Sequence, residues 1–128
     1  MRRLGAAFTL FVALAASSAA HAQNTFSATA VSPTSLVTGM SWSAASRRQA
    51  EQMAVSYCNR QGASDCKVAS WSMNECIAIA ISHEPGHSGW GSDWASSRAG
   101  AQFRALAACN TDNRENCFIQ QSSCPQDP

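Results

Sequence analysis

His83, Glu84 and His87 stand in the order His-Glu-Pro-Gly-His, which spells the H-E-x-x-H string of zinc metallopeptidases. In such an enzyme a helix sets both histidines on one face, i and i+4, so that they share a metal while the glutamate acts as general base. Pro85 and Gly86 oppose that helix. Proline in a helix interior costs about 3 kcal/mol and glycine about 1 kcal/mol relative to alanine, and the residue before a proline is pushed toward extended backbone. The string therefore reads as Pro-Gly turn chemistry following a strand. A looser role survives as the alternative reading. Two histidines flanking a turn could hold a transition metal, with Glu84 or Asp93 assisting, in a metal-binding protein or a metal-dependent hydrolase. Solvated loop histidines are the plainer expectation, with no resident metal or cofactor.

Trp90 and Trp94 follow in the same loop, and Trp42 lies in the corresponding loop of the first half. Exposed tryptophans can stack on sugar rings or anchor a protein partner; buried ones would cover a core built from alanine. Trp90, Trp94, Trp42, His83 and His87 are thus the candidate binding residues. No catalytic residue is assigned. The serines form no Gly-x-Ser-x-Gly elbow, the carboxylates are scattered, and cysteines locked in bridges are not nucleophiles. Arg47, Arg48, Glu51, Arg98 and Arg104 read as solvated helix faces.

These residues must be positioned by a duplicated frame. At an offset of 51, Ala50, Ala54, Val55, Cys58 and Cys66 fall on Ala101, Ala105, Leu106, Cys109 and Cys117. At an offset of 50, Ala28-Thr29-Ala30-Val31 falls on Ala78-Ile79-Ala80-Ile81. A repeat of about fifty residues follows, spanning about 24–74 and 75–124. In the first unit a strand covers about Thr25 to Val31, and a Ser/Thr/Pro-rich loop ends near Gly39-Met40-Ser41-Trp42. A helix opens at Ser46, with Gln49 completing a capping box and Gly62 as its stop. Ala50, Met53, Ala54, Tyr57 and Cys58 make one apolar stripe, and a short strand covers Lys67 to Ser72. The second unit has a strand at Cys76 to Ser82, a loop at His83 to Ala95, a helix over Ser97 to Asn110 and a strand over Cys117 to Ser122. Pro125 to Pro128 reads as a frayed tail. The order is β-α-β-β-α-β. That predicts an α+β fold with two β-α-β repeats, an antiparallel sheet and two helices on one face, a ferredoxin-like sandwich.

Arg2, Arg3, the 13-residue run from Leu4 to Ala16, and Ala20-His21-Ala22 have the form of a cleaved signal peptide, residues 1–22. The run is shorter than the ~20 residues of a membrane span. The mature part, 23–128, is one domain carrying seven basic and eight acidic residues. That balance argues against nucleic acid, which wants a basic patch, and no later segment could span a membrane. All six cysteines, Cys58, Cys66, Cys76, Cys109, Cys117 and Cys124, lie in this part. They read as disulfides of an exported protein, secreted or periplasmic, rather than as a thiolate metal cluster, which would want C-x-x-C pairs. Repeat symmetry pairs Cys58 with Cys66, Cys109 with Cys117 and Cys76 with Cys124. A ferredoxin-like sheet would instead gather three cysteines at each edge, so pairing and topology conflict.

The cysteine spacings, Glu75-Cys76-Ile77-Ala78, Gly89-Trp90-Gly91 and Ala101-x3-Ala105-Leu106-x2-Cys109 resemble the domain of unknown function (DUF) 4189, a family of small exported bacterial proteins. The resemblance covers nearly all of Thr25 to Cys124. It implies the fold and export but no activity, since the family has no established catalytic residues. The first half departs from the pattern, with Gly39-Met40-Ser41-Trp42 in place of a Gly-Trp-Gly run. Together these features predict a disulfide-stapled binding or inhibitory module, not an enzyme. Its partner would be an envelope or extracellular protein or polysaccharide, and one concrete form is an envelope immunity or inhibitor protein.

Overall fold

The computed structural model describes residues 23–111 and 116–128; the expected leader, 1–22, lies outside them. The elements are β1 (Phe26–Val31), β2 (Thr38–Ala44), α1 (Arg47–Asn59), β3 (Lys67–Met73), β4 (Cys76–Ser82), β5 (Gly89–Ala95), α2 (Arg98–Cys109) and β6 (Phe118–Ser123). The fold is α+β, antiparallel and disulfide-stapled. Each repeat is a hairpin, a helix and a return strand. Pairing gives two three-stranded sheets, β2-β1-β3 and β5-β4-β6. Because β2 and β3 both run antiparallel to β1, they are parallel to each other, and α1 is the crossover between them.

The strand content and the layering differ from the sequence reading. Residues 38–44 and 89–95, read there as loop, are strands. Thr-Gly-Met-Ser-Trp-Ser-Ala and Gly-Trp-Gly-Ser-Asp-Trp-Ala lack the β-branched alternation that marks a strand, and the ladders along β1 and β4 hold them extended. The helices also lie on the two outer faces of a four-layer stack rather than sharing one face. Both central strands are the reason. Ala28 and Ala30 pack with α1 residues, while Val31 packs with Ile77 and Ile79 of the other sheet. Ala78 and Ala80 pack with α2 residues.

Each strand therefore has a small-residue face and a larger one. On the helix side Ala50, Ala54, Cys58 and Ala101, Ala105, Cys109 are fully buried. A β-carbon placed on Gly39 would lie 2.1 Å from the Ala54 carbonyl oxygen, and one on Gly91 would lie 2.2 Å from the Cys109 nitrogen. The helices thus rest on bare backbone. Between the sheets, Ile77 and Ile79 are each worth about 1.5–3 kcal/mol of burial. The hydroxyls of Thr29, Ser70 and Ser92 form a triangle there, with separations of 2.6 to 3.0 Å, and Ser92 also donates to the Ala78 carbonyl at 2.7 Å. Each hydroxyl has a partner, so this polar contact across the sheets leaves no unmet donor among the three.

The disulfides are Cys58–Cys66, Cys109–Cys117 and Cys76–Cys124. The conflict between pairing and topology disappears because β6 pairs directly with β4. Ile77 stands opposite Ser123, which brings the Cα atoms of Cys76 and Cys124 to 4.0 Å. On a chain-entropy model, that 48-residue closure is worth about 4 kcal/mol, against about 2.5 kcal/mol for each eight-residue loop.

The tail is pinned rather than frayed. Arg98 donates to both Asp127 carboxylate oxygens, at 2.6 and 2.7 Å, and to the Ser122 carbonyl and hydroxyl. The Cys124 N–H adds a third contact to Asp127 at 2.9 Å. A short tail following a helix-bound strand looks free in sequence because its anchor sits 29 residues away. The Arg98 bonds, then the Cys124 N–H, hold the Asp127 carboxyl below its ordinary value. A depressed carboxylate stabilises the fold above its unfolded pKa and loses that contribution as pH falls through the folded one. Asp65 behaves alike, lowered by the Ser32 and Thr34 hydroxyls.

Two predictions follow from the packing and the pinned tail. Gly91→Ala should lower unfolding free energy by about 1–3 kcal/mol or more in urea titration; wild-type stability would contradict the close seating. Asp127→Asn should flatten the loss of stability between about pH 4 and the acid limit. An unchanged acid limb in pH-resolved thermal melts would contradict the Arg98 anchor.

Candidate functional site

The repeats differ by one residue between the seating glycine and the strand end. Gly39 to Ala44 is longer by one than Gly91 to Ala95. The surplus is a β-bulge. Phe26 pairs with Ala44 but Ala28 with Ser41, so Trp42 and Ser43 stand together against Ser27, and Ser43 takes φ of 57°. Bulges on edge strands re-aim side chains. Trp42, 41% exposed, lines a cavity of about 330 Å³ with Met40, Met53, Tyr57, Arg60 and Gln121 among its walls.

Tyr57 was expected in the helix stripe and is instead 39% exposed; the stripe on the sheet is only Ala50, Ala54 and Cys58. Helices seated this closely have no room beneath them for larger side chains, so Met53 and Tyr57 fall to its flank. The Arg60 guanidinium lies 5.5 Å from the Tyr57 ring centre, and among the described residues no carboxylate pairs with it. Thr38 donates to the Gln121 side-chain oxygen at 3.2 Å, tying the floor to β6.

The second repeat places an internal ion pair at the equivalent corner. Trp94 takes the position of Trp42, Asp93 that of Ser41, and Arg104 that of Met53. Arg104 bonds Asp93 at 3.2 Å and lies 5.3 Å from the Trp94 ring centre. Trp94, 42% exposed, borders a separate cleft of about 340 Å³ with Trp71, Met73 and Glu75. Trp71 already carries Arg47 at 4.3 Å. Arg47, Arg98 and Arg104 are therefore engaged with partners, not merely solvated.

The other sequence candidates are dispersed. Trp90 is half-buried against the core between the sheets, with the Lys67 ammonium 5.4 Å from its ring. His83 and His87 are exposed in the turn joining β4 to β5. The His87 N–H donates to the Glu84 carbonyl at 2.9 Å, the His83 ring lies 6.3 Å from that of Phe118, and Asn116 donates to the Glu84 carboxylate at 3.2 Å. Among the described residues no three His, Cys, Asp or Glu side chains converge as a metal site. The bulge was not legible in sequence, but one signal was. At the offset of 51, Met53, Tyr57 and Arg60 face Arg104, Ala108 and Thr111, so the copies diverge at the cavity.

A family model described as Domain of unknown function (DUF4189) matches residues 26–124. The chain belongs to the DUF4189 family. The match spans both repeats from β1 to the last cysteine, so one DUF4189 domain is the whole stapled stack. No curated protein and no solved structure matches the chain. No helix among the described residues is long and apolar enough to cross a membrane.

His83→Ala/His87→Ala is expected to leave bound metal unchanged, read by elemental analysis of untagged protein. Metal present in the parent and lost in the variant would contradict this.

Proposed function

We propose that this DUF4189 protein is an exported binding module of the cell envelope, secreted or periplasmic, that works by holding a ligand rather than by catalysis. The observation that carries the reading is Trp42. It is 41% exposed on β2, has no cation on its ring among the described residues, and opens on a cavity of about 330 Å³. That volume lies at the lower end of ordinary ligand pockets. Three disulfides in so small a domain suit an oxidising compartment.

An exposed aromatic ring beside methionines gives apolar contact, while Arg60 and the Gln121 amide give direction. The partner is an envelope or extracellular protein or polysaccharide. The inhibitor form, in which the partner is a lytic enzyme or toxin, draws on the small size and the three staples, which limit the entropy lost on binding.

Mature protein immobilised on a support should recover a stoichiometric partner from envelope extract. Trp42→Ala should reduce recovery at least tenfold while leaving the thermal melt unchanged. Equal recovery by both proteins, or none by the parent, would contradict the reading.

A further inference from the structure

We infer that the cavity beside Trp42 takes an acidic saccharide of one or two rings, with Arg60 receiving its carboxylate. The inference rests on the binding reading above and names the ligand class of that same site. Three observations carry it.

The walls supply what a sugar acid needs. Trp42, with no cation on its ring among the described residues, offers an aromatic ring for the apolar face of a pyranose, and Tyr57 beside it carries Arg60. Gln61 and Gln121 offer amides, which donate and accept at once as ring hydroxyls require. The Gln121 oxygen already accepts from Thr38, so a purely apolar ligand would strip water from the Gln121 amide N–H groups and from the Gln61 amide without replacing it, a desolvation cost that a saccharide avoids.

Arg60 supplies the sign. Arg47 pairs with Glu51, Arg98 with Asp127 and Arg104 with Asp93, whereas Arg48 and Arg60 pair with no carboxylate among the described residues, and of those two it is Arg60 that lines the cavity. Its guanidinium lies 5.5 Å from the Tyr57 ring centre. A guanidinium at that distance from a ring keeps its edge donors, and those match a carboxylate in bidentate fashion.

The second repeat supplies the contrast. Where the first has Met53, Tyr57 and Arg60, the second has Arg104, Ala108 and Thr111, and Arg104 turns onto Asp93 and Trp94. One fold, duplicated, thus carries an internally neutralised version and a version whose cation has no carboxylate partner among the described residues. Packing alone does not require that difference, since α1 and α2 seat on their sheets through equivalent alanines and glycines.

The test is calorimetric titration of the mature protein with digalacturonate and with its dimethyl ester, at low salt because the charge contact is screened. The acid should bind at least tenfold more tightly than the ester. Arg60→Gln should lower affinity for the acid at least tenfold and leave that for the ester unchanged; Gln121→Ala should weaken both. Circular dichroism confirms that the variants fold. Equal affinity for acid and ester, an unaffected Arg60→Gln variant, or no binding of either sugar overturns the inference. Tighter binding of the dipeptide acid N-acetyl-Ala-Ala than of digalacturonate overturns it too, since the carboxylate would then belong to a peptide. If both sugars fail while Trp42→Ala still abolishes partner recovery, the saccharide assignment falls and the binding reading stands.

Discussion

Both central strands are buried on two faces, and the rest of the molecule answers to that constraint. Residues 28 to 31 and 76 to 82 are all buried, so a layer must cover each side of β1 and β4. A chain this short cannot cover them with large side chains everywhere. It uses alanine and glycine toward the helices, where backbone approaches backbone, and isoleucine, valine and methionine between the sheets. Small residues bury little apolar area each, which is why covalent closure matters. The Cys76–Cys124 bridge joins two strands of the second sheet, and the two eight-residue bridges tie each helix end to the next strand.

Close seating also decides where a site can form. A helix resting on bare backbone pushes its larger side chains to its flanks. In the first repeat those flank residues are Met53 and Tyr57, and they meet a tryptophan that a bulge has re-aimed. In the second the flank residue is Arg104, which pairs with Asp93 and lies 5.3 Å from the Trp94 ring centre. Duplication supplied two equivalent corners, and their side chains differ in what they leave unsatisfied.

Much of the frame was legible in the residues. The cysteine spacing and the alanines at 50, 54, 101 and 105 mark the repeat, and Ser46 caps its helix through the Gln49 N–H at 3.1 Å. The strand from Cys76 to Ser82 matches its expected bounds. What escaped was held by tertiary partners. β2 and β5 carry too much Gly and Ser to signal a strand, and only pairing extends them. The helices take opposite faces because Thr29 and Val31 look toward a second sheet, which periodicity within one strand cannot reveal. The candidate site was half legible. Trp42 stood out as an aromatic residue, whereas Tyr57 and Arg60 looked like core stripe and helix end, and Trp90 looked like a surface ligand although it packs between sheets.

On the proposed reading, ligand meets the first repeat and not the second. Amide chemical-shift mapping of the mature protein, with the recovered envelope partner or ligand added stepwise, checks this. Shifts confined to Thr38–Ala44, the last turn of α1 through Gln61, and Gln121 are the predicted result. Shifts centred on the turn at His83 to Ser88, or on Trp94 and Glu75, would contradict it.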